Sequence, residues 1–140
     1  MCALLASYRV LAESEHFLLT HEYQSTFLVD KETAAQTPMG AHNGDPSVGI
    51  IAPDEAWFLI GGQGVVFHDQ HSEQHVFWRD TPTLFVHDAK LCNDHIVRLL
   101  VDPWSREASV WDFDTRTLTL HKVRAGPNLR EQPYRDQVDF

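Results

Sequence analysis

The run Val48-Gly-Ile-Ile-Ala52, Pro53-Asp-Glu55, Ala56-Trp-Phe-Leu-Ile60, Gly61-Gly-Gln-Gly64, Val65-Val-Phe-His68 decides the fold. Short apolar, β-prone segments alternate here with two turns of different chemistry. Pro53 presets the first φ of one turn. The glycines of 61–64 reach positive φ without a side-chain clash in the other. Each apolar segment is shorter than an ordinary helix, so the run predicts consecutive strands.

The same rhythm extends in both directions. His75-Val-Phe-Trp78 lies across a polar connection from Val65–His68 and predicts a hairpin with it. In the mixed stretch Asp80–Asp94, Thr83–Val86 reads as a strand and His87–Asn93 as one helical turn or a loop. Ile96–Val101, a turn at Asp102–Ser105, and Ala108–Asp112 restore the pattern. Val110–Phe113 then faces Leu118–Val123 through Asp114–Thr117. The strict alternation of Leu118, Leu120 and Lys122 with polar neighbours indicates a half-buried strand. From Gly126 onward Pro127, Pro133 and mixed charges predict a tail over residues 126–140 that lies on the surface or is flexible.

Toward the N-terminus, Phe17–Thr20 and Ser25–Asp30 read as a hairpin, and Lys31–Asp45 as a loop containing Pro38, Gly40 and Gly44. The single helix candidate is Met1–Glu15, although Tyr8–Glu13 suits an edge strand equally. The expectation is one all-β domain over 1–140, a mainly antiparallel meander, sandwich or set of curved sheets. The alternative is an α+β domain with one N-terminal helix.

Ile50–Trp57 and Leu99–Arg106 echo each other as strand, acidic-proline turn, strand. The grammar is that of a β-propeller blade. A chain of 140 residues is too short for a closed propeller of four or more blades at about forty residues each. The echo therefore reads as shared meander grammar.

The chain is acidic: 20 Asp and Glu face 11 Lys and Arg, a formal net charge of −9. Residues 1–45 carry two basic and six acidic side chains, and residues 46–95 carry two and seven. Residues 96–140 balance at seven each. A phosphate-neutralising basic patch is not expected, so no nucleic-acid partner is expected either. No apolar run approaches the roughly 18 residues of a membrane helix, and none is expected to act at a membrane. Cys2–Ala6 is a short apolar stretch with Arg9 behind it, the reverse of a signal peptide's order. Two cysteines, Cys2 and Cys92, do not make a disulfide framework, so a reducing cytoplasm is expected.

Candidate chemistry concentrates in His68-Asp-Gln-His-Ser-Glu-Gln-His75. His68, His71 and His75, with Asp69 or Glu73, could ligate a divalent metal and support a metal-dependent hydrolase. The favoured reading of the same residues is the solvated tip of a hairpin, with no metal bound. Cys92 with His95 lacks an activating context, and Gly61–Gly64 lacks the lysine and following helix of a phosphate loop. Asp112 and Asp114 share a strand face and read as exposed carboxylates. Trp57, Trp78 and Trp111 sit inside strand runs and are core candidates. Trp104 sits in a turn, where it either packs back over the sheet edge or contacts a partner.

Gly44-Asp-Pro46, Ile51–Glu55 through Trp57, and Gly61–Gly64 together resemble the turn pattern of small bacterial immunity proteins encoded beside antibacterial toxins. The resemblance implies a cytosolic protein, without catalytic residues, that occludes a cognate toxin, often through an acidic surface. Immunity contacts follow the toxin and not a shared motif, so no functional residue is carried over. On this reading no cofactor is expected, the partner is a basic protein toxin, and contact falls on Asp54, Glu55, Asp69, Glu73, Asp80 and Trp104. A small-ligand binding module is the further alternative.

Overall fold

The computed structural model describes residues 9–41, 44–69, 74–78, 85–135 and 137–140. These residues form twelve strands in three four-stranded antiparallel sheets, without a helix. The first sheet is β1 (Arg9–Glu13), β2 (Phe17–Glu22), β3 (Ser25–Asp30) and β4 (Gln36–Ala41). The second is β5 (Val48–Ile51), β6 (Trp57–Gly62), β7 (Gly64–Asp69) and β8 (Gln74–Phe77). The third is β9 (Val86–Leu91), β10 (Ile96–Val101), β11 (Ser109–Asp114) and β12 (Thr119–Ala125). Every sheet is a meander in which each strand pairs with its neighbour in sequence.

The all-β expectation holds, and the N-terminal region contributes an edge strand over Arg9–Glu13. Residues 1–8 of the helix candidate lie outside the described residues.

Two local readings are corrected. Lys31–Asp45 is not wholly a loop, because Gln36–Ala41 pairs with β3. Pro38 removes a donor and Gly40 takes a φ of +107°, features that mimic a loop. They are tolerated because β4 is an edge strand with an irregularity opposite Thr26/Phe27. His87–Asn93 is neither a helical turn nor wholly a loop, since Val86–Leu91 pairs along β10 from Leu91↔Val97 to Val86↔Val101. Its polar His87, Asp88 and Lys90 hide the alternation because β9 is an edge strand with half-buried side chains.

The sheets stack with the second in the middle. Phe58, Ile60 and Val66 project from one face of the second sheet onto Leu19 and Met39 of the first. Trp57, Leu59, Val65 and Phe67 leave the opposite face and meet Val86, Val97, Leu99 and Phe113 of the third. This two-sided burial explains why β6 and β7 read as continuous apolar runs instead of alternating. Trp57 is buried, whereas Trp78 and Trp111 are half-buried at the rim of the same core, packed edge to face at 5.0 Å.

The echo between Ile50–Trp57 and Leu99–Arg106 is not a structural repeat. The first joins strands one and two of its sheet, and the second joins strands two and three of the next. The blade-like unit is the four-stranded meander itself.

Within residues 126–140 no described residue is in a strand. Leu129 and Val138 nevertheless bury against Leu100 and Val110, on the face of the third sheet turned away from the second. Leu129 N–H donates to the Pro103 carbonyl at 2.6 Å, and Lys90 bonds the Phe140 carbonyl while lying 4.6 Å from the centre of its ring.

Candidate functional site

The second sheet touches its neighbours differently on its two sides. Toward the third sheet the contact is aromatic, with Phe113 5.3 Å from both Phe67 and Phe77. Toward the first sheet the packing opens into a cleft of about 360 Å³. Phe17, Leu28, Pro38 and Met39 line it from the first sheet. Phe58, His68 and Asp69 line it from the second, and Glu55 closes one end.

His68 belongs to this wall because of strand register. His68 stands opposite Phe58 and Phe67 opposite Leu59, so His68 shares the Phe58 face toward the first sheet. The residue is only 9% exposed, and its ring is hydrogen-bonded to the Met39 backbone. Nε2 has no hydrogen-bond partner, the only such buried side-chain atom among the described residues. Burial holds the imidazole below its ordinary pKa, against an opposing pull from Asp69. The neutral ring donates to the Met39 carbonyl through one nitrogen and offers the other as an acceptor.

Glu55 is fixed by a second piece of local structure. The turn after β5 places it at a φ of +60°, a conformation that costs a non-glycine residue free energy. The carboxylate offsets that cost by accepting from Ser14 Oγ at 2.5 Å, His16 N at 3.1 Å and His16 Nδ1 at 2.6 Å. These bonds lower the Glu55 pKa to about 2, the Ser14 hydroxyl being the largest cause, and raise that of His16. The order Ser–Glu–His differs from that of a nucleophilic triad, where imidazole stands between hydroxyl and carboxylate. A carboxylate this acidic is a poor base, so Ser14 is not activated; the cluster clips the first sheet to the second.

The residues singled out in the sequence fall in several places. Asp54 is exposed and shapes its turn by accepting from Ala56 N at 3.0 Å. Glu55 is committed to Ser14 and His16, with its side chain only 16% exposed. Asp69 sits at the cleft rim, half-buried. His71, Glu73 and Asp80 lie outside the described residues. Phe67 pairs with His75 and His68 with Gln74, so His68 and His75 leave the sheet on opposite faces. Among the described residues no group of three His, Cys, Asp or Glu side chains is placed to hold a metal ion.

Trp104 packs back, as one of its two readings had it. Its ring stands 4.9 Å from Tyr134 and 5.3 Å from His87, and Nε1 donates to the Gln132 carbonyl at 3.0 Å. Asp112 forms a two-bond pair with Arg98 at 2.9 and 3.2 Å, while Asp114 caps the turn at Arg116 and Thr117. The pair expected to be exposed is therefore half-buried and engaged. Cys92, read as lacking an activating context, is exposed.

Ser14, His16 and the solitary role of His68 were not anticipated. Ser14 and His16 lie 41 and 39 residues from Glu55, and no spacing rule links them. His68 was visible only as one of a group.

No family model matches the chain, and no curated protein matches it. Among the described residues no helix is long and apolar enough to cross a membrane.

Proposed function

We propose that the chain is a stoichiometric protein-binding inhibitor of the bacterial immunity type, acting in the cytoplasm on a basic cognate toxin. One observation carries the reading: the charge on the first two sheets is predominantly acidic, with Arg9 and Lys31 as the cations among their described residues. From Glu32 to Trp78 the sequence contains no Lys or Arg. Among the described residues of the first two sheets and their turns, Lys31 is already paired with Glu13 at 2.5 Å. Glu15, Glu32, Asp45 and Asp54 are exposed. In the third sheet, by contrast, Arg98 and Arg116 answer Asp112 and Asp94.

A predominantly acidic surface steers an oppositely charged protein into encounter and repels a like-charged one. The aromatic contribution once assigned to Trp104 drops out of the surface, because that ring is held by Tyr134 and Gln132. Glu55 drops out with it. Asp54, Glu32 and Glu15 become the contact residues of the proposal.

Co-purification with the protein encoded beside this one is the test. A stable one-to-one complex is expected, with association slowed about tenfold or more by Asp54→Lys combined with Glu32→Lys, since close charge pairs govern on-rates. Failure of any neighbouring product to bind overturns the proposal.

A further inference from the structure

We propose that the outer edge of β12 binds an extended acidic segment of another protein, which adds to the third sheet as a further strand. β1 packs beside β5 and β5 beside β9, so β4, β8 and β12 are the outer edges of the three sheets. An open edge presents unpaired N–H and C=O groups, and native sheets blunt it with proline, irregularity or shortness. β4 carries Pro38 beside an irregularity, and β8 has four residues. β12 has seven residues, contains neither Pro nor Gly, and is exposed at every position except the half-buried Leu120. Its one irregularity falls between Lys122 and Arg124, and residues 119–122 keep continuous register with 111–114.

Charge selects the occupant of this edge. From Thr115 to Arg130 the sequence holds Arg116, Lys122, Arg124 and Arg130 and no Asp or Glu, within a chain of net charge −9. Arg116 is held by Asp94, whereas Lys122 and Arg124 are exposed and form no ion pair among the described residues. Lys122 stands opposite Trp111, which packs toward the second sheet, and Arg124 opposite Val110, which packs on the other face. The two free cations therefore flank the edge from both faces.

Opposite charges across neighbouring strands attract and like charges repel. A second β12 would set cation against cation, so the edge disfavours pairing with its own copy. An acidic strand would complete the ladder through its backbone and answer both cations through its side chains, the division of labour of strand addition. A nucleic acid would use the cations and leave the backbone groups unpaired.

The edge lies apart from the acidic surface of the preceding proposal, and its test uses no toxin. The whole chain is titrated in low salt with the N-acetylated, C-amidated peptide Thr-Val-Glu-Glu-Val-Glu-Thr, whose adjacent acids point to opposite faces of a strand. The control is the same peptide N-methylated at its central amides, which keeps the charge and removes donors. Saturable binding of the first peptide is expected below about 1 mM, about tenfold or more tighter than that of the control. Saturating peptide should slow amide hydrogen exchange along β12 and leave β4 and β8 unchanged. Lys122→Glu combined with Arg124→Glu should weaken binding about tenfold or more. Absence of saturable binding would mean that the cations serve only to keep β12 unpaired, and it would overturn the proposal. Equal binding of the methylated peptide, equal binding of an oligothymidylate of the same net charge, or unchanged exchange in β12 would overturn it too. The exchange measurement decides the matter without a variant if the double variant does not fold.

Discussion

The two faces of the second sheet solve the same packing problem in different ways. Toward the third sheet, β6 and β7 lay Trp57, Leu59, Val65 and Phe67 against Phe113 and Leu99 in a continuous core. Toward the first sheet, the same strands present Phe58, Ile60 and Val66, but the core ends at His68 and a cleft begins. One contact is held by apolar area, which is non-directional. The other is finished by a carboxylate clip and leaves a cleft. Continuous packing and an open cleft are thus divided between the two sides of one sheet.

The comparison breaks most readily at Phe113. This ring is fully buried between Phe67 and Phe77, and Phe113→Ala should cost about 3–5 kcal/mol in denaturant unfolding. A loss below about 1 kcal/mol would mean that the third sheet contributes little to the stack.

Glycines where sheets approach closely provide a finer contrast. A Cβ on Gly61 would meet Val86 Cγ1 at 2.9 Å and Cβ at 3.2 Å, a stiff branched side chain on the neighbouring sheet. A Cβ on Gly49 would meet Leu11 Cβ and Leu19 Cδ2 at 2.8 Å, the latter a flexible tip. Because Leu11 Cβ is fixed to its backbone, Gly49→Ala should destabilise at least as much as Gly61→Ala, each by about 1–3 kcal/mol, in paired thermal melts. The reverse order would place the tighter contact between the second and third sheets.

The smallest effect is the pH dependence of the Glu55 clip. Glu55 has a lowered pKa when folded, so its contribution is complete above its unfolded value near 4.5 and fades as pH falls toward about 2. His16 has a raised pKa, so its share is complete below 6.5 and fades as pH rises through the folded value. The melting-temperature gap between the unaltered chain and Glu55→Gln should be widest between pH 4.5 and 6.5. A gap that is constant from pH 3 to 8 would show that the clip carries no charge.

Much of this architecture was legible in advance, for a physical reason. Strands buried on both faces announce themselves as apolar runs, as Ala56–Ile60 and Val65–His68 do, and their turns carry Pro53 or glycine. Edge strands do not. Gln36–Ala41 contains Pro38 and Gly40 because its outer edge has no ladder to complete, and Val86–Leu91 is half polar because it is half covered. The cleft was less legible still. Its members come from six segments of the chain, and only the register of β7 on β6 separates His68 from the neighbouring histidines. Periodicity reports the environment of a strand, whereas a cleft is a property of two sheets together.

The meander topology has a kinetic side. Within each sheet every strand pairs with the one before it, so all nine ladders close over connections of one to seven residues. The entropy lost in closing such loops is small beside that of a sandwich whose partners are far apart in sequence. Each sheet can zip from a local hairpin, and the slow, long-range event is the docking of finished sheets. The seams between sheets, including the one where Glu55 meets Ser14 and His16, are completed only in that docking. The cleft forms late, and it is the first feature lost if the sheets part.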